Sequence, residues 1–551
     1  MSIDKIIQTI NQNHPDSDTT TITQSYEFLR TFVNETEGLK YEFLEKALTR
    51  GLAFAKNKAG ARFTAASMLF DVPETEENYY KKIRGEVDEE IAQLVKSHRV
   101  MNQYLPLPQY ADLYKHVISS TTILSSLHID TASMCAAMLH ELPMEKNVPI
   151  KVLEKEFGSE IAGLVENFQQ IISIQPAHNA KYVENLRQMV IVMARDIRAI
   201  IIKMCSNLDR TISQKVKSNS EQELKEIATE SLEILAPIAD MFGIWRMRWQ
   251  LEDYSFKILK PTEYEKIGKR FNVDERKNRE RFIQKTKNLI EKRAYEAGIK
   301  CSISGRFKHF YSIYQKMNYK NRSFNEIMDV FALRILVDKP EDCYLMLGLI
   351  HGLWKPKHRR IKDYIASPKS NNYQSLHTTV FGIGGKLTEF QVRTSNMDNK
   401  AKFGVASHWS YKNKHNKNPE WIQEILIKHK ELASDEEFYS SFSTEFLSSK
   451  IFTYTPKGDI VALNKQSTPV DFAYHIHSQV GHKCKSALVN EIPVPLDYEL
   501  SNSDIVKIVT DRNQSGPDPK WLKFVKTTGA KKQINDYINR NRDSSDNFTH
   551  L

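Results

Sequence analysis

The sequence predicts a multidomain chain of α and α/β class. It expects an all-helical first half, an α/β domain with a mixed sheet, and a small β-rich module near the end. Three observations carry that expectation. Apolar residues recur at three- and four-residue spacing through the first part of the chain, with few turn signals inside the runs. From about residue 300 strand-type strings take over, as in Val330-Phe-Ala-Leu-Arg-Ile-Leu-Val337. Beyond residue 450, short β-type strings are punctuated by Pro and Gly at turn positions. At 551 residues, with 40% hydrophobic and 26% charged residues, the chain has material for about two to four domains with cores of their own.

Residues 1–225 read as helical throughout, with clear periodicity over Leu153–Ile172 and Val183–Cys205. A helical connector follows over 226–300. Its Trp245 and Trp249, at i,i+4, lie on one helix face and read as packing residues. The α/β domain spans 301–440. Val330–Val337 and Leu387–Arg393 are its strands, and Cys343–Trp354 is a helix between them. His377–Phe381 and Leu387–Arg393 flank Gly382-Ile-Gly-Gly385, which is a hairpin signal. The β-rich module spans 450–512. The remaining 513–551 is a basic, polar tail that starts another helix.

Composition narrows the function classes. No apolar run is long enough to span a bilayer. Met1-Ser-Ile-Asp-Lys5 is polar and lacks the apolar stretch of a signal peptide. Five cysteines are scattered without a CxxC pair, which fits reduced cytoplasmic thiols rather than disulfides or a zinc site. A net charge of +10 suits polyanionic partners, nucleotides and RNA among them.

The densest chemistry lies in Lys369-Ser-Asn-Asn-Tyr-Gln-Ser-Leu-His377, with Arg360-Ile-Lys-Asp363 before it and Glu389-Phe-Gln-Val-Arg393 after it. Cations, a ring suited to stacking, a histidine and a carboxylate suit a nucleotide with a charged phosphate chain and a reacting hydroxyl. Upstream, Ser304-Gly-Arg-Phe-Lys-His-Phe-Tyr-Ser-Ile-Tyr-Gln-Lys316 runs from a turn into a helix start. Arg306 and Lys308 reach a phosphate chain from there, and backbone N–H groups also favour anions. Asp329 at the start of one strand and Glu389 within another can share a magnesium ion, which takes oxygen ligands.

The order of these strings resembles the synthetase domain of long RelA/SpoT homologues, which move pyrophosphate from ATP to GDP or GTP. The resemblance implies a nucleotidyltransferase-like mixed sheet. It assigns Asp329 to Mg2+, and Glu389 to the metal or to deprotonating the acceptor 3′-hydroxyl. It assigns Arg306 and Lys308, with Lys316 beyond them, to ATP. It places Tyr373 against guanine, and Lys369, Asn371 and His377 around the acceptor's phosphates and ribose. Arg360 and Lys362 belong to an RxKD string associated with guanine-nucleotide preference. Thr455-Pro-Lys-Gly-Asp459 and Asp471-Phe-Ala-Tyr-His-Ile-His477 resemble a β-grasp-like TGS domain, which implies uncharged tRNA on a ribosome as partner, with His475, His477 and His482 as contacts. Longer homologues continue well past this module; whether the end here is native stays open, as does the oligomeric state.

The first half resembles an HD-type manganese hydrolase that has lost part of its ligand set. His116 stands at the first position, with Val117 where proline is usual. The His-Asp pair is His140-Glu141, the following Glu-Asp pair is Met144-Glu145, and Ser206 replaces the distant ligand aspartate in Cys205-Ser-Asn-Leu-Asp-Arg210. Serine replaces an ionised oxygen poorly, Glu141 is one methylene too long, and methionine supplies no acid or base. The expectation is a pyrophosphokinase, GTP/GDP as acceptor, with hydrolysis lost. A bifunctional synthetase/hydrolase and a non-catalytic tRNA- or ribosome-binding regulator are the rivals.

Overall fold

The computed structural model describes residues 2–14, 17–35, 41–71, 79–173, 195–214, 220–270, 273–305, 309–320, 331–358, 360–368, 373–404, 450–456, 460–464, 466–501, 504–511 and 516–546. The chain forms two compact units. One comprises Met1–Ile365 with Asn371–Leu426, and the other Ala366–Ser370 with Ile427–Leu551. Among the described residues no helix is long and apolar enough to cross a membrane.

The first unit begins with helices, as the three- and four-residue periodicity requires. Polar side chains cap the starts of some of them. Asp88 accepts from the N–H groups of Glu90 and Ile91 ahead of the Glu89–Tyr104 helix, and Asp130 accepts from Ser133 N–H ahead of Thr131–Leu139. Such caps are worth about 1 kcal/mol each. Thr131–Leu139 is buried except at Ala132, and its small residues Ser133, Ala136 and Ala137 let neighbours approach closely. It packs against Ala111–Ser125 and Ser159–Ser173, while Ala111–Ser125 lies along Arg198–Ser213. Met144 and Glu145 fall on the exposed side of the short Leu142–Lys146 helix.

The α/β part of this unit is a five-stranded mixed sheet. Its strands are β1 (Cys301–Gly305), β2 (Phe331–Val337), β3 (Lys362–Asp363), β4 (Leu376–Phe381) and β5 (Leu387–Thr394), in spatial order β1-β2-β5-β4-β3. β2 and β5 are parallel; the other pairs are antiparallel. Strand alternation decides which residues are buried. Leu333, Ile335, Val337, Leu376, Val380, Phe390 and Val392 face a core closed by Ile290 and Ala294 of the Val273–Glu296 helix and by Cys343, Met346 and Ile350 of the Pro340–Leu353 helix. Burying Phe390 alone contributes about 2–3 kcal/mol. The expected hairpin joins β4 to β5, and Gly384 and Gly385 supply its positive φ values of 63° and 72°.

The connector helix Trp245–Leu259 packs on the helical part and on the α/β part alike. Trp245 and Trp249 do pack, and their partner is His309: the Trp249 and His309 rings stack at 4.4 Å and 9°.

The second unit holds β6 (Lys450–Tyr454) paired with β7 (Ile460–Asn464), and a sheet of β8 (Cys484–Val489), β9 (Ile492–Val494) and β10 (Val506–Thr510) in the order β10-β8-β9. The helix Pro469–Ile476 opens with a capping box between Thr468 and Asp471. The tail does contain a helix, Thr528–Asp546. Its Ala530 and Ile534, with Trp521 and Val525, share one core with Val470, Ala473, Tyr474 and Cys484.

Candidate functional site

The face of the mixed sheet opposite the core gathers three of the predicted residues, Lys362, His377 and Glu389. β5 turns Phe390 and Val392 inward, so Glu389, Gln391 and Arg393 occupy the other face. Register places Glu389 between Ala332 of β2 and Thr379 of β4, and Gln391 between Arg334 and His377. Lys362 of β3 is opposite His377. One face thus carries Arg334, Lys362, His377, Glu389, Gln391 and Arg393. Glu389 is half-buried, and its Oε1 accepts from Gln391 Nε2 at 3.0 Å. Arg360 and Lys362 are exposed.

Tyr373 and His377 are a bonded pair, hydroxyl to Nε2 at 2.9 Å. The Tyr373 ring is half-buried, with the Arg393 guanidinium carbon 5.6 Å from its centroid. Arg393 is held from below by Asp398, which is 1% exposed and meets Arg393 Nη2 at 2.5 Å, Lys402 Nζ at 2.7 Å and Arg334 Nη1 at 3.4 Å. Burial raises the Asp398 pKa, but Arg393, Lys402 and Arg334 outweigh it and hold the carboxyl below its usual range. Three cations around one carboxylate leave local positive charge beside Glu389, which favours a polyanionic ligand. Arg334, Gln391 and Asp398 were missed by the sequence reading. A cation within the otherwise apolar Phe331–Val337 string was the available signal for Arg334.

The helix after β1 departs from expectation. Phe310–Lys320 was expected to offer its first N–H groups to phosphate. Instead Phe310 N–H and Tyr311 N–H donate to Asp253 of the connector at 3.3 and 3.0 Å. Burial raises the Asp253 pKa, and these two bonds pull it back. A built-in carboxylate has taken the anion position at this helix end. Lys316 is half-buried on the same helix. Arg306, Lys308, Asp329, Lys369 and Asn371 lie outside the described residues.

The second polar cluster sits in the helical part, where His116, His140, Glu141, Ser206, Asp209 and Arg210 are all buried. His116 Nδ1 donates to Asp209 Oδ2 at 2.6 Å. Burial lowers the His116 pKa, against the opposing Asp209 bond, so the ring is neutral and its Nε2 accepts from Ser206 Oγ at 3.1 Å. His140 Nδ1 donates to Ala137 O at 2.6 Å, and its Nε2 faces Glu141 Oε1 at 3.4 Å. His116, His140 and Glu141 bring one donor atom each to within 4.8 Å of one another. Two donors would therefore be imidazoles and one a carboxylate oxygen, but that oxygen also accepts from Arg210 Nη2 at 2.8 Å. This set fits a divalent ion poorly, because a guanidinium already sits on its anionic ligand. Met144 and Glu145 are exposed. Sequence reading missed Asp209 and Arg210, although both stand in the string where Ser206 was noted.

In the second unit His475 and His477 are exposed, as expected. His482 is not. Its Nδ1 meets the Tyr474 hydroxyl at 3.1 Å and its ring packs 4.7 Å from Tyr537, because the Thr528–Asp546 helix covers that side. Burial lowers its pKa.

Profiles of known families match three stretches: the region found in RelA/SpoT proteins over 305–416, an HD domain over 106–245 and a TGS domain over 451–510. A GTP pyrophosphokinase of Myxococcus xanthus is 38% identical over 434 residues, covering 77% of this chain and 57% of that protein. The bifunctional (p)ppGpp synthase/hydrolase SpoT of Escherichia coli K12 is 38% identical over 441 residues, covering 78% of this chain and 62% of that protein. The chain thus spans about three fifths of the length of these relatives. Among solved structures, small alarmone synthetase 1 of Bacillus subtilis bound to pppGpp is 26% identical, covers 31% of this chain and 94% of that one, and has a TM-score of 0.22. With its helical HD domain, mixed-sheet α/β domain and TGS domain in this order, the chain belongs to the RelA/SpoT family.

Proposed function

We propose that the chain is a (p)ppGpp synthetase that transfers the β,γ-pyrophosphate of ATP to the 3′-oxygen of GDP or GTP, releasing AMP, and that its HD-type half no longer hydrolyses the product. The observation that carries the reading is the polar sheet face. It sets a half-buried carboxylate, Glu389, among Arg334, Arg393, His377 and Lys362, beside the Tyr373 ring. Glu389 and Asp329 would hold Mg2+, which would supply charge screening for the triphosphate. Glu389, fixed by Gln391, is placed to orient or accept the proton of the acceptor hydroxyl. Arg393 and Arg334 draw the phosphates to the face, and Tyr373 stacks on the guanine while its hydroxyl orients His377. Lys369, Asn371, Arg360 and Lys362 complete the acceptor site, and Arg306, Lys308 and Lys316 hold ATP. The second unit contacts uncharged tRNA on the ribosome through His475 and His477.

The test is incubation with Mg2+, labelled ATP and GDP or GTP, with and without ribosomes carrying uncharged tRNA. Labelled (p)ppGpp with matching AMP is expected, with turnover lower by about 100-fold or more in Glu389→Gln. No product from folded protein in either arm would favour a non-catalytic RNA-binding regulator. Release of pyrophosphate from ppGpp that depends on His140 would overturn the loss of hydrolysis.

A further inference from the structure

The cluster in the helical half contains a cation of its own. Arg210 is 9% exposed, and its Nη2 lies 2.8 Å from Glu141 Oε1. That same oxygen is 3.4 Å from His140 Nε2 and 3.7 Å from His116 Nε2. Glu141 Oε1 is therefore the point on which both imidazoles and the guanidinium converge. Ser206 and Arg210, four residues apart, lie on one face of the Arg198–Ser213 helix and reach the cluster from the same side. Asp209, between them in sequence, fixes the His116 tautomer.

We propose that Arg210 is a built-in replacement for the divalent ion of this half, a tethered cation that neutralises Glu141 and makes the cluster a metal-free structural centre. The inference rests on reading residues 106–245 as an HD domain. A carboxylate this deeply buried requires a partner charge, and a guanidinium supplies one permanently and at no cost in metal affinity. Its presence also opposes a divalent ion at the same oxygen, since the two cations would compete for one ligand. Ser206 completes the exchange: a hydroxyl that donates to His116 Nε2 occupies the lone pair a metal would use. Two changes, one removing an anionic ligand and one adding a cation, thus act together on the same few ångströms.

The arrangement makes an unusual prediction, that metal binding can be installed by substitution. The full chain, stripped with EDTA, is titrated with Mn2+ in the absence of nucleotide, and free Mn2+ is followed by electron paramagnetic resonance. Wild type and His116→Ala are expected to bind Mn2+ equally, so that no ion belongs to the cluster. The S206D/R210N double variant is expected to bind one further ion per chain, which adding H116A removes. Thermal unfolding supplies a second readout. Mn2+ should leave the wild-type transition of this half unmoved, while R210N should melt lower and regain part of the loss with Mn2+. A wild-type ion lost in H116A, or a Mn2+-dependent rise in the wild-type transition, overturns the proposal. So does a folded double variant that binds no added ion. Synthesis of (p)ppGpp in the same preparations reports separately on the proposed function, because neither Ser206 nor Arg210 lies on the sheet face.

Discussion

Replacing Asp398 by asparagine removes the negative charge beneath the polar sheet face while keeping the side chain's volume. The side chain of Asp398 is 2% exposed and that of Arg393 is 4% exposed, whereas that of Lys402 is 39% exposed. The Lys402 pair is solvent-screened and contributes at most about 1 kcal/mol. The Arg393 pair dominates, because asparagine leaves a buried guanidinium without its counter-ion, a loss of about 3–5 kcal/mol. Arg334, 17% exposed and 3.4 Å away, adds to the same imbalance. With a urea m-value of about 2 kcal/mol per molar, the unfolding midpoint of the α/β domain should fall by roughly 1.5–2.5 M. The assay is urea titration followed by tryptophan fluorescence, since Trp354 stacks on Phe390 in that core, and by residual nucleotide turnover. R393M/D398N, which removes the stranded cation as well, should recover part of the loss, a coupling of about 0.5–3 kcal/mol. A D398N midpoint equal to wild type would refute the charge-balance argument.

Three other outcomes are expected. Tyr373→Phe keeps the ring and loses the bond to His377, whereas Tyr373→Ala loses stacking worth about 1–3 kcal/mol, so KM for GDP should rise far more in the alanine variant; equal rises would exclude stacking. His98 is buried against Phe70, with Tyr114, Arg50 and Arg99 around it, and burial followed by the two arginines lowers its pKa from 6.5 to about 3. The unfolded chain therefore takes up this proton before the native one does, and stability from the neutral ring, fully present above pH 6.5, is lost as pH falls toward 3, by up to about 1.4 kcal/mol per pH unit. The melting temperature between pH 6.5 and 5 should accordingly fall less steeply in H98Q than in wild type. Asp471 accepts from the N–H groups of Thr468, Lys526 and Thr527 and from the Thr468 and Thr527 hydroxyls, so Asp471→Ala leaves the two buried donors of Thr468 and the half-buried ones of Lys526 and Thr527 unmatched and should cost the second unit about 3 kcal/mol; amide exchange in the Thr528–Asp546 helix would accelerate, and unchanged protection would show that the carboxylate is dispensable.

What was legible in the sequence followed from local rules. Helical periodicity, the strand string before Val337 and the Gly382–Gly385 hairpin each involve residues a few positions apart, and all three stand among the described residues; of the Val183–Cys205 stretch, 183–194 lie outside them and the described helix opens at Arg198. Glu389 and Tyr373 stood out because their strings are compact, and the structure brings both to one side of the sheet, Glu389 on the strand of Arg393 and Tyr373 beside the Arg393 guanidinium. The misses share a long-range origin. Arg393 and Arg334 meet over Asp398 only because parallel pairing sets β2 beside β5, strands more than 50 residues apart in sequence. Asp253 caps a helix 57 residues further on. His482 was read as exposed because its covering ring, Tyr537, comes from a segment with no visible relation to it. Arg210 reaches Glu141, 69 residues earlier in the chain, only through the packing of the helices that carry them.

The alternation along β5 has a consequence for how this protein can change length. Phe390 and Val392 point to one side and Glu389, Gln391 and Arg393 to the other. Deleting or inserting a single residue within Leu387–Thr394 would exchange the two sets, driving charges into the apolar core and leaving aromatic carbon on the polar face. Gly382–Gly385 carries no such alternation, and its Gly384 and Gly385 already accept the positive φ of a turn. Variation in length across descendants of this chain should therefore collect at that bend, while the neighbouring strand keeps its residue count even where its letters drift.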